Sequence, residues 1–434
     1  MTNHLLKVSL TGLCVGAIAW SIQLQLKEDR TPQFSSSKQV PLKLQVVKNT
    51  NSKETNVLLN DPAMKFKWGM NGSSKADIYT NKAWNISRGD RKIVVAIIDT
   101  GIDKMHPDLK NNLWKNPGET GKDAFGKDKA SNGIDDDKNG FIDDVHGWNF
   151  VGNDNKLTDN HGHGSHVAGI VGAEGGNNIG ISGVSPEVSL MVLKYYDPKV
   201  RFNDNLGNTI KAIQYANKMG AHIINYSGGG LEFSRREFNA IKESRDKGIL
   251  FVAAAGNEAS NSDTSNYYPA DYNLDNIISV TAVNPNAKVL ASSNYGKGSV
   301  HIAAPGENIY STLPGNKYGH MTGTSQATAF VTGVAVLVQA NNADFDYLQV
   351  TQQILRTADQ MPGLKQKTKT SGKLNSYAAL AIQPNIALSG AVTENNLSFT
   401  ASETETNVSP NNNTGLRGLS SLAEVLKKTQ ELSN

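Results

Sequence analysis

Six short apolar runs recur along the middle of the chain, each closed off by polar or glycine-rich residues. The first is Lys92-Ile93-Val94-Val95-Ala96-Ile97-Ile98, which stops abruptly at Asp99-Thr100-Gly101. Further runs cover 188–193, 222–226, 249–254, 277–283 and 300–303. Continuous β-branched runs without polar alternation suit strands buried on both faces, as in a parallel sheet covered by helices. Between the runs, 209–219 and 235–247 carry helical spacing. The alternation predicts an α/β fold, a doubly wound and mostly parallel sheet flanked by helices, with right-handed crossovers. In such sheets reacting groups gather beyond the carboxyl ends of strands. Asp99 and Asn257 stand at such ends.

One apolar stretch differs. Thr328-Ala329-Phe330-Val331-Thr332-Gly333-Val334-Ala335-Val336-Leu337-Val338 is built from small residues and predicts a packed helix. It opens on Gly323-Thr324-Ser325-Gln326-Ala327, which places Ser325 at a helix N-terminus beside unpaired backbone N–H groups. A serine there either caps the helix or serves as a nucleophile whose oxyanion meets amide donors.

The chain has 434 residues, 38% hydrophobic and 19% charged, which suffices for one large domain with appendages. A net charge of +3 gives no reason to expect nucleic acid. Cys14 is the one cysteine, so no intramolecular disulfide forms, and stapling must come from packing or metal ions. Bulky Leu13 before it argues against lipidation. Lys7 and the apolar run 8–20, with small Ala17 and Ala19, predict a signal peptide over 1–19 and a secreted or cell-envelope (periplasmic) protein. Contact with a membrane is expected only if that segment stays uncleaved. A short pro-segment or linker is expected over 20–57, and a polar linker with a short apolar helix over 384–434, where Ser421 and Glu424 offer a capping box.

Asp159-Asn160-His161-Gly162-His163-Gly164-Ser165-His166-Val167-Ala168-Gly169 places three histidines close together. A metal site through His161, His163 and His166 is one reading, but no glutamate stands at the zincin spacing. A glycine-rich turn into a packed helix is the other. It leaves His163 at the helix start, free to reach a nucleophile, and sends His166 into the core. Ala253-Ala254-Ala255-Gly256-Asn257 joins small residues, which admit a substrate to the backbone, to an amide that can donate.

Taken together, Asp99-Thr100-Gly101, His163-Gly164-Ser165-His166-Val167-Ala168-Gly169, Gly256-Asn257 and Gly323-Thr324-Ser325, in that order, resemble the subtilisin-like serine peptidase family, the subtilases. The resemblance runs over about 58–383, from Asn60-Asp61-Pro62 to Gly372-Lys373-Leu374-Asn375-Ser376. It implies a serine endopeptidase acting on polypeptides, expected as a monomer. Ser325 would be the nucleophile, His163 the general base and acid, Asp99 its orienting partner and Asn257 the oxyanion donor. Ser227-Gly228-Gly229 would receive an extended peptide, and Ala254-Ala255-Gly256 would form the facing wall of the primary pocket. Tyr268-Pro269 resembles the family's cis-peptide turn, and Tyr267 stands where a small residue often lines the pocket floor. Tyr267 either fills that space, which favours small residues before the cut, or turns to solvent. Ser165, Gln326 and Ala329 depart from the family's usual Thr, Met and Pro, and none replaces a reacting atom. A non-catalytic peptide-binding member is the competing reading.

Asp135-Asp136-Asp137-Lys138-Asn139-Gly140-Phe141-Ile142-Asp143-Asp144 matches the first half of an EF-hand-like calcium loop. Asp135, Asp137, Asn139 and the Phe141 carbonyl would ligate. His146 stands where the closing glutamate belongs, so Asp143 or Asp144 must complete the shell. The family resemblance adds a second calcium site at Asp108, with Asn177 in the loop 175–181. One or two structural Ca²⁺ ions are therefore expected.

Overall fold

The structure, a computed structural model, describes residues 58–382. The expectations for 1–19, 20–57 and 384–434 lie outside the described residues, as does residue 383. Among the described residues no helix is long and apolar enough to cross a membrane.

Strand β1 (Gly89–Asp99) organises the sheet. Its side chains alternate between two cores: Ile93, Val95 and Ile97 enter one, Ala96 and Ile98 the other. That is why the run carries no polar positions. The sheet also holds β2 (Gly147–Asn149), β3 (Glu187–Lys194), β4 (Ile223–Tyr226), β5 (Leu250–Ala254), β6 (Ile277–Val283) and β7 (Ile302–Pro305). Strands β8 (Ile309–Leu313) and β9 (Lys317–Met321) form a separate antiparallel hairpin, and the short β10 (Asp359–Gln360) and β11 (Gly372–Lys373) rejoin the main sheet. Its nine strands run β10-β11-β7-β6-β5-β4-β1-β3-β2, all parallel except the β10–β11 pair. From β1 the chain goes out to the edge strand β2, fills in β3 between them, and then crosses to β4 on the other flank of β1. The order therefore reverses between β1 and β4, and a crevice opens at their carboxyl ends.

Helix α1 (His163–Gly172) is buried along its whole length. Helices α2 (Asn205–Lys218) and α3 (Arg235–Asp246) cover the opposite face, where Ile210, Ile213, Ala240 and Ile241 join the second core. Helix α4 (Thr324–Asn341) lies beside α1 and is buried from Thr324 to Val338. It packs against β1, β4, β5, β6 and β7, so it has no polar face to present.

The predicted strands recur with small shifts. The last, expected over 300–303, lies at Ile302–Pro305. Val300 instead closes a turn, its N–H donating to the Gly296 carbonyl. The β8–β9 hairpin gives little signal because β9 reads Lys-Tyr-Gly-His-Met, without a β-branched residue.

Candidate active site

Asp99 ends β1, and His163 opens α1 above it. His163 Nδ1 donates to Asp99 Oδ1 at 2.8 Å, which leaves Nε2 as the acceptor nitrogen. Both residues are buried, at 4% and 3% exposure. Burial alone would push the His163 imidazolium down. The Asp99 charge and hydrogen bond, with Asp159 behind them, outweigh it and raise the net value above the ordinary 6.5.

This contact depends on a tight turn. A Cβ at Gly164 would overlap the Gly101 carbonyl, so glycine lets α1 sit down on the Asp99-Thr100-Gly101 turn. Asp159 locks the arrangement. Its carboxylate accepts from Thr100 Oγ1 at 2.8 Å, His161 N at 3.0 Å, Gly162 N at 2.7 Å, Ser165 N at 2.9 Å and Ser165 Oγ at 2.8 Å. Thr100 Oγ1 in turn accepts from Gly164 N at 2.9 Å. The loop 158–160 is itself held by buried Lys194, which donates to the Thr158 carbonyl and to Asp197. Asp159 is a positioning residue that the motifs left unassigned. The available signal was an acid four residues before His163, at the spacing that satisfies the first N–H groups of a helix.

His166 Nε2 donates to the carbonyls of Ile309, at 2.9 Å, and Gly319, at 3.2 Å. Burial pushes it down to about 3, so it is a neutral core histidine, as the turn-into-helix reading expects. With His163 turned to Asp99 and His166 to the hairpin, the three histidines do not converge on a metal.

Ser325 lies in the first turn of α4, 3% exposed. Gly323 precedes it at φ 154°, a value that favours glycine. Ser325 Oγ donates to the Ser227 carbonyl at 3.2 Å, so here the hydroxyl hydrogen is directed at Ser227 rather than at His163. Asn257 Oδ1 accepts from Thr324 N at 3.0 Å and Thr324 Oγ1 at 3.3 Å. Ala329 continues the helix unbroken, and Gln326 is buried with its Nε2 unpartnered.

The edge Ser227-Gly228-Gly229 follows β4, anchored from below by buried Asn225, which accepts from Thr332 Oγ1 at 2.8 Å. Ala254 ends β5, and Ala255 and Gly256 follow it. The Tyr268–Pro269 bond is cis, as the sequence suggested. Tyr267 is 4% exposed, which excludes the solvent-facing reading. Its ring lies between the two walls: a Cβ at Gly229 or at Gly256 would overlap it. Asp271 Oδ2 holds its backbone N–H at 2.7 Å.

In the acidic loop, oxygens of Glu119, Asp137 and Asp144 all lie within 4.8 Å of one another. Among the described residues this is the one such carboxylate, histidine or cysteine grouping. Asn116 Nδ2 bridges Asp137, at 2.9 Å, and Asp144, at 2.7 Å. Glu119 is fully buried, its Oε1 accepting from Asp136 N at 2.8 Å while Oε2 has no partner. Burial raises the Glu119 carboxyl, and the charges of Asp144 and Asp137 add to that rise against the lowering hydrogen bonds. Three crowded carboxylates with an orphaned oxygen fit a divalent cation. Of the expected ligands, Asp137 and Asp144 lie in this grouping with Glu119. Asp135 accepts from Asn139 N and Gly140 N, and Asp143 from Gly133 N. Asn139 Nδ2 donates to Asp137 and Asp144, and the Phe141 ring packs on Trp148 and Tyr215. Glu119 was missed because it lies in a separate turn 16 residues before Asp135.

Asp108 is enclosed differently. Its carboxylate accepts from Asn177 Nδ2 at 3.0 Å, Ile181 N at 2.9 Å and Tyr318 OH at 2.8 Å.

The model of the subtilase family matches residues 90–414. The chain is 34% identical over 309 residues to subtilisin-like protease 1 of Plasmodium falciparum (isolate 3D7), a match covering 67% of this chain and 44% of that protein. It is 34% identical over 302 residues to the thermophilic serine proteinase of Bacillus sp. (strain AK1), covering 70% of this chain and 65% of that one. The chain thus spans about half the length of these relatives.

Proposed function

The chain belongs to the subtilase family, and from that membership we propose that it is a serine endopeptidase cleaving polypeptides through Asp99, His163 and Ser325. The observation that carries the reading is the buried Asp99–His163 contact at the open end of the sheet, with Nε2 left to accept a proton. A peptide laid along Ser227-Gly228-Gly229 as an added strand would compete for the Ser227 carbonyl that holds Ser325 Oγ. The released hydroxyl then turns to His163 Nε2. As the bond from Ser325 Oγ to the scissile carbon forms, the hydroxyl proton passes to Nε2. The oxyanion takes hydrogen bonds from Asn257 Nδ2 and the Ser325 N–H. His163 gives the proton to the leaving amine, and the acyl-enzyme is then hydrolysed by water through the same imidazole.

Tyr267 occupies the slot between the two walls, so the residue before the cut is proposed to be small. Glu119, Asp137 and Asp144 would hold one Ca²⁺, which neutralises their crowding and fixes the loop to Tyr215 of α2 through Asp144. Export to the cell envelope or beyond, as a monomer, belongs to the same proposal and rests on the apolar N-terminal run alone.

A serine-directed fluorophosphonate tests the reading. Labelling of the wild-type chain, lost in Ser325→Ala, is expected. A folded wild-type chain that takes no label and cleaves nothing would sink it and leave the peptide-binding alternative.

A further inference from the structure

We propose that Asn294 is a positioning residue that aims the Asn257 amide at the oxyanion, an inference that rests on the serine-peptidase reading of the site. Asn294 is fully buried, and its side-chain amide is used to capacity. Oδ1 accepts from Glu258 N at 3.0 Å and Ser260 N at 2.9 Å. Nδ2 donates to the Ala255 carbonyl at 2.9 Å and to Glu258 Oε2 at 2.7 Å. Backbone N–H groups can only donate, so the amide oxygen must face them and the orientation of the group is fixed.

These bonds fall on both sides of Asn257: Ala255 precedes it, and Glu258 and Ser260 follow. The main chain adds another, since Asn294 N donates to the Gly256 carbonyl at 2.9 Å. Gly256 has φ +102°, and a Cβ there would overlap Asn294 Nδ2, Glu258 Oε2 and the Tyr267 ring. The Asn294 amide therefore lies directly against the residue before Asn257. Thr324 N holds the tip of the Asn257 side chain through Oδ1. Asn294 holds the backbone from which that side chain springs.

The clamp is tied to the sheet. Thr281, on β6, donates from Oγ1 to the Asn294 carbonyl at 2.7 Å. Neighbouring Ser293 Oγ accepts from Ala282 N, also on β6, at 3.0 Å. Ala259 N meets the Ser292 carbonyl at 2.8 Å, and Tyr295 N meets that of Ser260 at 3.0 Å. Both donors of the Asn294 amide are spent on Ala255 and Glu258, so it acts through Asn257 and not on the substrate. Oxyanion donors work when they are already aimed at the developing charge, and a misplacement on the order of 1 Å can cost about 10²-fold in rate.

Steady-state kinetics of Asn294→Ala, alone and combined with Asn257→Ala, test it. Asn294→Ala should lower kcat by about 10- to 100-fold with KM little changed, less than the about 10²–10³ of losing Asn257 itself. With Asn257→Ala already in place the same change should cost about 3-fold or less in kcat, because the donor it positions is gone. Equal losses in the two backgrounds would overturn the inference, since a purely structural role does not depend on the Asn257 side chain. An unchanged kcat in Asn294→Ala would overturn it too. Should Asn294→Ala fail to fold, Asn294→Asp decides. It keeps the size and the acceptor, loses the donor to Ala255, and should show the same dependence on Asn257. In a wild-type chain that takes the fluorophosphonate label and cleaves peptide, equal losses sink this inference alone. A wild-type chain that does neither removes the peptidase reading and this inference with it.

Discussion

The side-chain oxygen of Asn257 accepts from the backbone N–H of Thr324 at 3.0 Å. With the oxygen held there, the amide orientation is fixed, and its N–H₂ is left without a protein partner among the described residues. That donor stands ready beside the turn that presents Ser325. Asn257→Ala should therefore lower kcat by about 10²–10³ with little change in KM. The magnitude is the one found at the equivalent asparagine of subtilisin and is carried over from it. Steady-state kinetics on a peptide substrate check it, and an unchanged kcat would remove Asn257 from the oxyanion site.

His163 works as a base only when neutral. Burial would lower its proton affinity, but Asp99 and then Asp159 raise it above the ordinary histidine value. Activity should accordingly fall on acidification with a midpoint above 6.5, and Asp159→Asn should move that midpoint down. The pH profile of kcat/KM reads both. A limb at or below the ordinary value, unmoved by the substitution, would contradict the arrangement.

The Tyr267 ring fills the space between Gly229 and Gly256, the walls proposed to take the side chain before the cut. Tyr267→Gly should open the slot and raise kcat/KM for Phe over Ala at that position. Burying a large apolar side chain contributes roughly 1.5–3 kcal/mol, so a gain of about 10- to 100-fold is expected. Profiling with a peptide library varied at that residue measures it. A wild-type enzyme already preferring Phe or Tyr would refute the role.

With calcium proposed among Glu119, Asp137 and Asp144, its removal leaves three crowded carboxylates without a compensating charge. Excess chelator should lower the melting midpoint by about 5 °C or more, the scale set by a ligand near 100-fold above its Kd. Glu119→Gln should shrink the chelator effect, because one carboxylate of the convergent three is gone. Calorimetry with and without chelator compares them, and equal shifts in both chains would remove Glu119 from the site.

Much of this was legible along the chain. The alternation of apolar runs dictated strands and their burial on both faces, because a strand facing two cores cannot carry polar positions. The proposed triad residues stood out because each sits at an abrupt change of pattern: Asp99 where an apolar run stops, His163 at a glycine-rich turn, Ser325 where a small-residue helix opens. What the linear order could not decide was partnership between distant segments. Asp135 and Glu119 are both acids in turns, yet the fold spends the first on its own loop and aims the second, from 16 residues away, at Asp137 and Asp144. Asp108 and Tyr318 stand 210 residues apart, and the linear order could not show that they meet at one hydrogen bond. Tyr267 could have turned to water or filled the space between the two walls, and only the packing of Gly229 and Gly256 on its ring chose the second. Periodicity is a local property, set by the geometry of one strand or helix. Ligand sets, charge compensation and pocket shape depend on which side chains different elements bring within a few ångströms, and that is fixed only when the sheet and its helices close.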